Sequence, residues 1–349
     1  MERMELGVLV EGGVLLVSRA LGAGWARGSL FRRLGSEGWT RVQGGAWVEP
    51  GREVDLSTRL RAVQLLKPRL VVSHRSAAEL WGIETLTPVP PTDVPLEFID
   101  PELTLRREGS GVLVHRMPLA EADVARREDG LRLTSVGRSL ADLLRAGPRD
   151  EALVAVESAL TWRRVNHARR APVTTTSTIA LALEAPLRGA ESARRHLKLA
   201  DPNSGSPAET IARLRLHDAG LHPTSQAELR TADGRRRYLD FLFRAEGLAI
   251  EIEGYAYHGT RDSHRRDIAR FNQVLQCPEV RLLLRFTAAD VFHRPSTMIG
   301  EIRSALVKLG RGLPAHPGQE ARPRNSPLTT FPLAFRGSSP TNSTTRGTL

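Results

Sequence analysis

Residues 237–259 read RYLDFLFRAEGLAIEIEGYAYHG, two strand-length runs joined by the four-residue turn RAEG. Alternation within each run predicts strands over 237–243 and 248–253, closed as a hairpin. If Phe243 faces Leu248 across the turn, Asp240 lies opposite Glu251 and Tyr238 opposite Glu253. The pleat then sets Asp240, Glu251 and Glu253 on one face and Leu239, Phe241, Phe243, Leu248, Ile250 and Ile252 on the other. Directly opposed carboxylates have Cβ atoms about 5 Å apart and repel unless a cation or a proton lies between them. Hard oxygen ligands converging from two strands suit Mg2+ or Mn2+. A second reading stands beside this one, in which the acids are solvated or paired with Arg237 or Arg285.

Helices are signalled on either side of the hairpin. SPAETIARLRLHDAG (206–220) has Ser206 as N-cap, Pro207 at the first helical position, Glu209 at the capping-box position and Gly220 as the stop. A strand is expected over 224–230. Beyond the hairpin, a helix over 263–276 should bury Ile268, Phe271 and Leu275. Arg266 and Arg270 lie four residues apart on one side of it, able to hold a phosphate or to pair with the acids. The strand VRLLLRFT follows, and Thr287 and Asp290 then form a second capping-box pattern. Residues 204–310 are therefore expected to form a mixed β-sheet flanked by helices.

The segment from Glu209 to about Leu306 resembles the restriction-endonuclease-like PD-(D/E)XK superfamily, in its branch related to very short patch repair endonucleases. The matching positions are Asp240, Glu251, Glu253 with Gly254, His258, Asp267 and Arg270. The resemblance implies a DNA-cleaving nuclease that uses Mg2+ or Mn2+, with Asp240 and Glu251 as direct ligands. It makes Glu253 a metal or water ligand standing where the superfamily usually has lysine, and His258 an acid or base. Glu209 matches the acid usual on the preceding helix, alongside its capping reading. Asp267 ranks below the strand acids, because it is also placed to pair with Arg270.

At the other end of the chain, ARGSLFRRL (26–34) places Leu30, Phe31 and Leu34 on one helical side and Arg27, Arg32 and Arg33 mainly on the other. WTRVQGGAWVE (39–49) reads as two short strands around Gly44-Gly45, a dipeptide suited to a type I′ turn. A basic helix followed by a small hairpin is the layout of a winged helix-turn-helix, with Arg27, Arg32 and Arg33 offered to DNA. The runs GGVLLVSRALGAGW, RVQGGAWVEPG and VVSHRSAAELWGI resemble the N-terminal winged-helix module of AbiEi-type antitoxins. That resemblance implies DNA binding and repression of an operon. VLLVSRALGAGWARG mimics a phosphate loop, but its Gly22, Gly24, Gly28 spacing departs from GxGxxG. His74, within SHRSAAELWG, reads as a packed or capping residue.

The fold class expected is thus α/β and α+β in two domains. A winged-helix module covers 1–85, a connecting α+β region 86–200, and a nuclease-like domain 204–310. His115, Asp142 and Glu157 are scattered through the connecting region with no spacing that implies a shared site. ADPNSGSP (200–207) is the clearest linker. Residues 311–349, rich in Pro, Gly, Ser and Thr without periodicity, are expected to be a disordered tail.

Composition narrows the function classes. The 349 residues carry a formal charge of +11, which suits a polyanionic partner such as DNA. Only Lys67, Lys198 and Lys308 are lysines, so the charge is almost wholly arginine. A single cysteine, Cys277, excludes an internal disulfide framework and a thiolate metal cluster. Glu2 and Glu5 stand where a signal peptide would be basic, and no apolar run is long enough to span a bilayer, so a cytoplasmic protein without membrane contact is expected. Two functions follow from the whole reading. One is a metal-dependent DNA nuclease in phage defence or DNA repair. The other is a non-catalytic DNA-binding regulator, the antitoxin of a type IV toxin–antitoxin system with a cognate toxin, retaining a nuclease-like fold.

Overall fold

The computed structural model describes residues 4–86, 94–102, 111–165, 168–231, 233–253 and 270–310. His258, Arg266, Ile268, Asp267 and the expected tail from 311 onward lie outside these residues. The chain is a mixed α/β protein, and among the described residues no helix is long and apolar enough to cross a membrane.

In chain order the first elements are β1 (Val14–Leu16), α1 (Val17–Gly22), α2 (Arg27–Ser36), β2 (Thr40–Gln43), β3 (Ala46–Val48) and α3 (Leu56–Leu66). β4 (Val71–Val72), α4 (His74–Leu80), β5 (Leu96–Asp100), β6 (Val112–Arg116), β7 (Val124–Arg126), β8 (Arg132–Thr134) and α5 (Val136–Ala146) follow. Next come α6 (Arg149–Leu160), β9 (Arg163–Val165), β10 (Ala168–Arg170), α7 (Thr176–Ala182) and α8 (Ala190–Leu197). The last group is α9 (Pro207–Asp218), β11 (Thr224–Arg230), β12 (Arg236–Phe243), β13 (Leu248–Glu253), the helical residues 270–275 as α10, β14 (Leu282–Thr287), α11 (Ala288–His293) and α12 (Pro295–Lys308).

These elements divide into two compact units. One draws on Met1–Ile83, Asp93–Ala146 and Ser177–Ala190, and the other on Glu84–Thr92, Gly147–Thr176 and Glu191–Leu349. The segment between 86 and 200 is thus shared between the two units.

The first unit holds two sheets. β1, β3 and β2 form an antiparallel sheet in the order β1-β3-β2, and Leu30 and Leu34 of α2 are fully buried beside Leu15 and Trp25. Gly45 alone of the expected turn pair takes a positive φ, 90°, so the hairpin is not type I′, which needs positive φ at both central residues. A register shift between Arg41 and Gln43 absorbs the difference. Phe31 is half-exposed and meets Trp47 edge-on at 6.0 Å. The second sheet has the order β6-β5-β4-β8-β7, with Phe98, Ile99 and Leu133 among its fully buried side chains.

The second unit is built on the sheet β11-β12-β13-β14, antiparallel except for the β13–β14 pair, which is parallel. Phe241, Phe243, Leu248, Ile250 and Ile252 pack on one side against α9, α11 and α12 through Ile211, Leu216, Val291 and Ile302. Each fully buried side chain of this kind contributes about 1.5–3 kcal/mol by leaving water. Leu242 and Ala249 face the other layer with Val274 and Cys277. In α10 it is Val274 that is buried, while Leu275 is 51% exposed, against the expectation from periodicity. α9 starts on Ser206, whose hydroxyl accepts from Glu209 N–H at 3.2 Å, and α11 on a full capping box of Thr287 and Asp290.

Candidate functional site

The hairpin register is the expected one at its mouth. Phe243 pairs Leu248, Leu242 pairs Ala249 and Phe241 pairs Ile250. There the ladder between β12 and β13 ends, so Asp240 and Glu251 are not a ladder pair, nor are Tyr238 and Glu253. Instead the Ile252 N–H donates to Asp240 Oδ2 at 2.7 Å. The cause is a break in the pleat. Leu239 packs with Leu242, three residues away, and not with Phe241. Across β11 stands Gln226, with φ of 44°, left-handed for a residue with a side chain. Leu239 is therefore corrected to the face opposite Phe241, and Asp240 sits at the kink.

The break gathers three side chains. Gln226 Nε2 donates to Asp240 Oδ1 at 3.1 Å and to Glu209 Oε2 at 2.9 Å. Glu209 also accepts from Gly205 N–H at 2.7 Å. A Cβ on Gly205 would lie 3.0 Å from both oxygens of that carboxylate, so glycine is what allows this approach. Glu209 thus reaches one residue beyond the N-cap of its helix. Its capping and site readings are both served by one carboxylate.

Glu251, 5% exposed, is the most enclosed of the acids. Arg270 Nη2 donates to Glu251 Oε1 at 3.1 Å and to the Tyr238 carbonyl at 2.9 Å. Burial, and next the charge of Glu209, push Asp240 up to about 7. Burial, and next the charge of Asp240, push Glu251 up to about 8. Burial and the neighbouring acids thus raise the proton affinity of Asp240 and Glu251, and among the described residues Arg270 and, next, Arg285 act against this on Glu251.

Glu253 stands at the edge of the group. Its carboxylate is paired with Arg285, whose guanidinium stacks on the Phe271 ring at 3.9 Å. For Glu253 the ion-pair reading holds in the structure. Arg237 is engaged elsewhere, donating to Gln273 Oε1 at 2.7 Å. Gln226 is a site residue that sequence reasoning missed. Its only signal was its place in a strand that pairs with the one carrying Asp240.

In the first unit Arg27, Arg32 and Arg33 all lie exposed on α2. Arg27 lies over Phe31, while Arg33 pairs with Glu37 at 2.6 Å and lies over Trp25. Arg32 donates to the Gly28 carbonyl at 3.4 Å.

No family model matches the chain. Two curated proteins of Mycobacterium tuberculosis are similar to it: uncharacterized protein MT2308 (strain CDC 1551 / Oshkosh) and uncharacterized protein Rv2248 (strain ATCC 25618 / H37Rv). Each is 28% identical over 236 residues, spanning 67% of this chain and 80% of the relative. The crystal structure of the RV2827C protein from Mycobacterium tuberculosis aligns over 62% of this chain and 83% of its own, with 19% identity and a TM-score of 0.36.

Proposed function

We propose that the chain is a metal-dependent nuclease that hydrolyses DNA phosphodiester bonds. The observation that carries the reading is that Gln226 bridges Glu209 and Asp240, with Glu251, held by Arg270, close enough for the charges of both acids to act on it. Confining three acids costs stability, and a divalent ion relieves that cost. The resemblance of residues 209–306 to the PD-(D/E)XK superfamily supports the same reading.

Mg2+ or Mn2+ fits the donor set, since Glu209, Asp240 and Glu251 offer hard oxygen ligands. Asp240 and Glu251 would hold the ion, with Glu209 beside them. Bound there, it would polarise the scissile phosphate and lower the pKa of a water. The protein's own groups do the rest. Gln226 orients Asp240 and Glu209, and Arg270 is placed to exchange Glu251 for a phosphate oxygen. His258, as acid or base, and Arg266, as a phosphate ligand, keep the roles that the resemblance and the helix spacing imply.

The arrangement of β1, α1, α2 and the β2–β3 hairpin supports a winged-helix reading of the first unit, with Arg27, Arg32 and Arg33 turned to the DNA backbone. A second reading, a non-catalytic regulator of the antitoxin type with a toxin partner, is favoured by one observation: Glu253 replaces the superfamily's lysine and is already paired with Arg285.

Incubation of the full chain with single- and double-stranded DNA and RNA, in Mg2+, Mn2+ or EDTA, decides between them. Metal-dependent cleavage that disappears in the Asp240→Ala, Glu251→Ala double variant is expected. Cleavage undiminished in that variant overturns the site, and the absence of cleavage on every substrate favours the regulator.

A further inference from the structure

A second group of chemistry-bearing side chains belongs to the first unit and plays no part in the proposed nuclease chemistry. It consists of His74 at the start of α4, Glu97 on β5 and His115 on β6. Nothing in their spacing along the chain announces the group, because strand pairing creates it. β5 and β6 are parallel with Ile99 beside His115, which puts Glu97 one pleat along on the same face. The start of α4 is tied to the same strand. Ser73 N–H donates to the Glu97 carbonyl, and Glu97 N–H donates to Ser76 Oγ, both at 3.0 Å.

The donor atoms converge. Glu97 Oε2 lies 3.4 Å from His115 Nε2 and 3.9 Å from His74 Nδ1, and one ligand atom from each residue falls within 4.8 Å of the others. The imidazoles are stacked with centroids 3.7 Å apart. His74 is 2% exposed, yet its Nε2 has no hydrogen-bond partner, and neither has the buried Nε2 of His115. Buried polar atoms are nearly always bonded, so two orphans beside a carboxylate call for an explanation. His74 also holds a φ of 48°, a left-handed backbone uncommon outside glycine. Ser73 Oγ, 2.9 Å from His74 Nδ1, engages that nitrogen and orients the ring, which leaves the unpartnered Nε2 as the ligating atom.

We infer that His74, Glu97 and His115 bind one divalent transition-metal ion of the Zn2+ class. Two imidazoles and one carboxylate are a zinc donor set that leaves a fourth position open, and imidazole nitrogen disfavours Mg2+ and Ca2+. Ligands bound at about 2.0–2.2 Å in a tetrahedron stand roughly 3.3–3.5 Å apart, a spacing that the 3.4 Å from His115 Nε2 to Glu97 Oε2 already meets. The surrounding charges permit a cation. Arg138 and Arg145 act on His74, but both are bonded to Asp142, and Arg138 also pairs with Asp123 at 2.8 Å. Formally these four charges cancel and leave the charge of Glu97 for the metal.

The test uses the full chain, stripped with chelator, dialysed against Zn2+ and then against metal-free buffer, with elemental analysis of the retained metal and Co2+ absorption as the optical readout. One Zn2+ per chain is expected in the wild type and in the Asp240→Asn, Glu251→Gln double variant, and excess Mg2+ should not displace it. In His115→Ala the affinity should fall at least about tenfold, and His115→Cys should restore it. Circular dichroism reports folding, and Glu97→Gln, close in size, gives the same reading if His115→Ala does not fold. A wild type that retains no Zn2+, a His115→Ala variant that retains as much as the wild type, or displacement by Mg2+ overturns the site. None of these outcomes depends on whether the chain cleaves DNA.

Discussion

Gln226 fixes Asp240 from the neighbouring strand: its Nε2 donates to Asp240 Oδ1 at 3.1 Å, and the same nitrogen reaches Glu209 Oε2 at 2.9 Å. One amide thus stands between two acids where a cation would be favoured. Hydrogen bonds to charged groups contribute about 1.5–3 kcal/mol. Gln226→Glu replaces the donor with a further acid. The second unit should lose about that much stability at pH 8 in EDTA and regain part of it in Mg2+, as read by thermal melts in the two buffers.

The folded-state pKa values of Asp240 and Glu251, about 7 and 8, lie above their ordinary values of 3.8 and 4.5. In the window between those values the folded chain keeps protons that the unfolded chain has released. Stability from this pair is therefore present at the acid end and lost as pH rises through 7 and 8. The loss is of the order of a few kcal/mol, and Asp240→Asn with Glu251→Gln should flatten it. Urea unfolding at stepped pH measures the slope. Mg2+ should raise the midpoint more at pH 8 than at pH 5.5.

Arg270 sits partly in solvent beside Glu251, so Arg270→Ala should leave the fold intact. Cleavage should fall by about 10²-fold or more if the guanidinium stabilises charge on the transferring phosphoryl group. A plasmid-nicking time course at saturating metal checks this, and an unchanged rate assigns Arg270 to charge balance alone.

Glu157 is fully buried on α6, pairs with Arg213, accepts from Thr210 Oγ1 at 2.7 Å and takes the Asp201 N–H at 2.9 Å. Removing one partner of such a group strands the other. Glu157→Ala should cost about 3–5 kcal/mol in the unfolding transition of the second unit. Denaturant unfolding followed by far-UV circular dichroism measures it.

Arg27→Ala with Arg32→Ala should weaken DNA binding without sequence preference and lower the salt slope of binding by about 0.9 for each phosphate that is no longer neutralised. Arg33 is shared with Glu37 and Trp25, so its effect should be smaller. Fluorescence anisotropy across a salt series separates this electrostatic loss from any change at the acid cluster.

Much of the second unit could be read along the chain. Periodicity predicted β11, β12 and β13 to within a residue, the Ser206 and Thr287 caps, and the pairing of Phe243 with Leu248. These features depend on neighbours a few residues apart, and alternation and capping chemistry record them directly. The same alternation failed at Leu239, because it assumes an unbroken pleat, and at Leu275, because the layer over α10 selects Val274.

By itself the sequence determined that acids would lie on two adjoining strands beside a capped helix, since residue type and period suffice for that. Only the tertiary structure decided which acids meet. Gln226 and Asp240 come together across β11 and β12 where Gln226 takes a left-handed backbone, and the amide of Gln226 reaches Glu209 at the start of α9. Arg270 reaches Glu251 because α10 lies over that face of the sheet, and Glu253 reaches Arg285 because the parallel register sets Arg285 beside Glu251, one pleat back on the same face. His74, Glu97 and His115, silent in the chain, became neighbours the same way. Sheet order and strand register join residues that no local pattern connects.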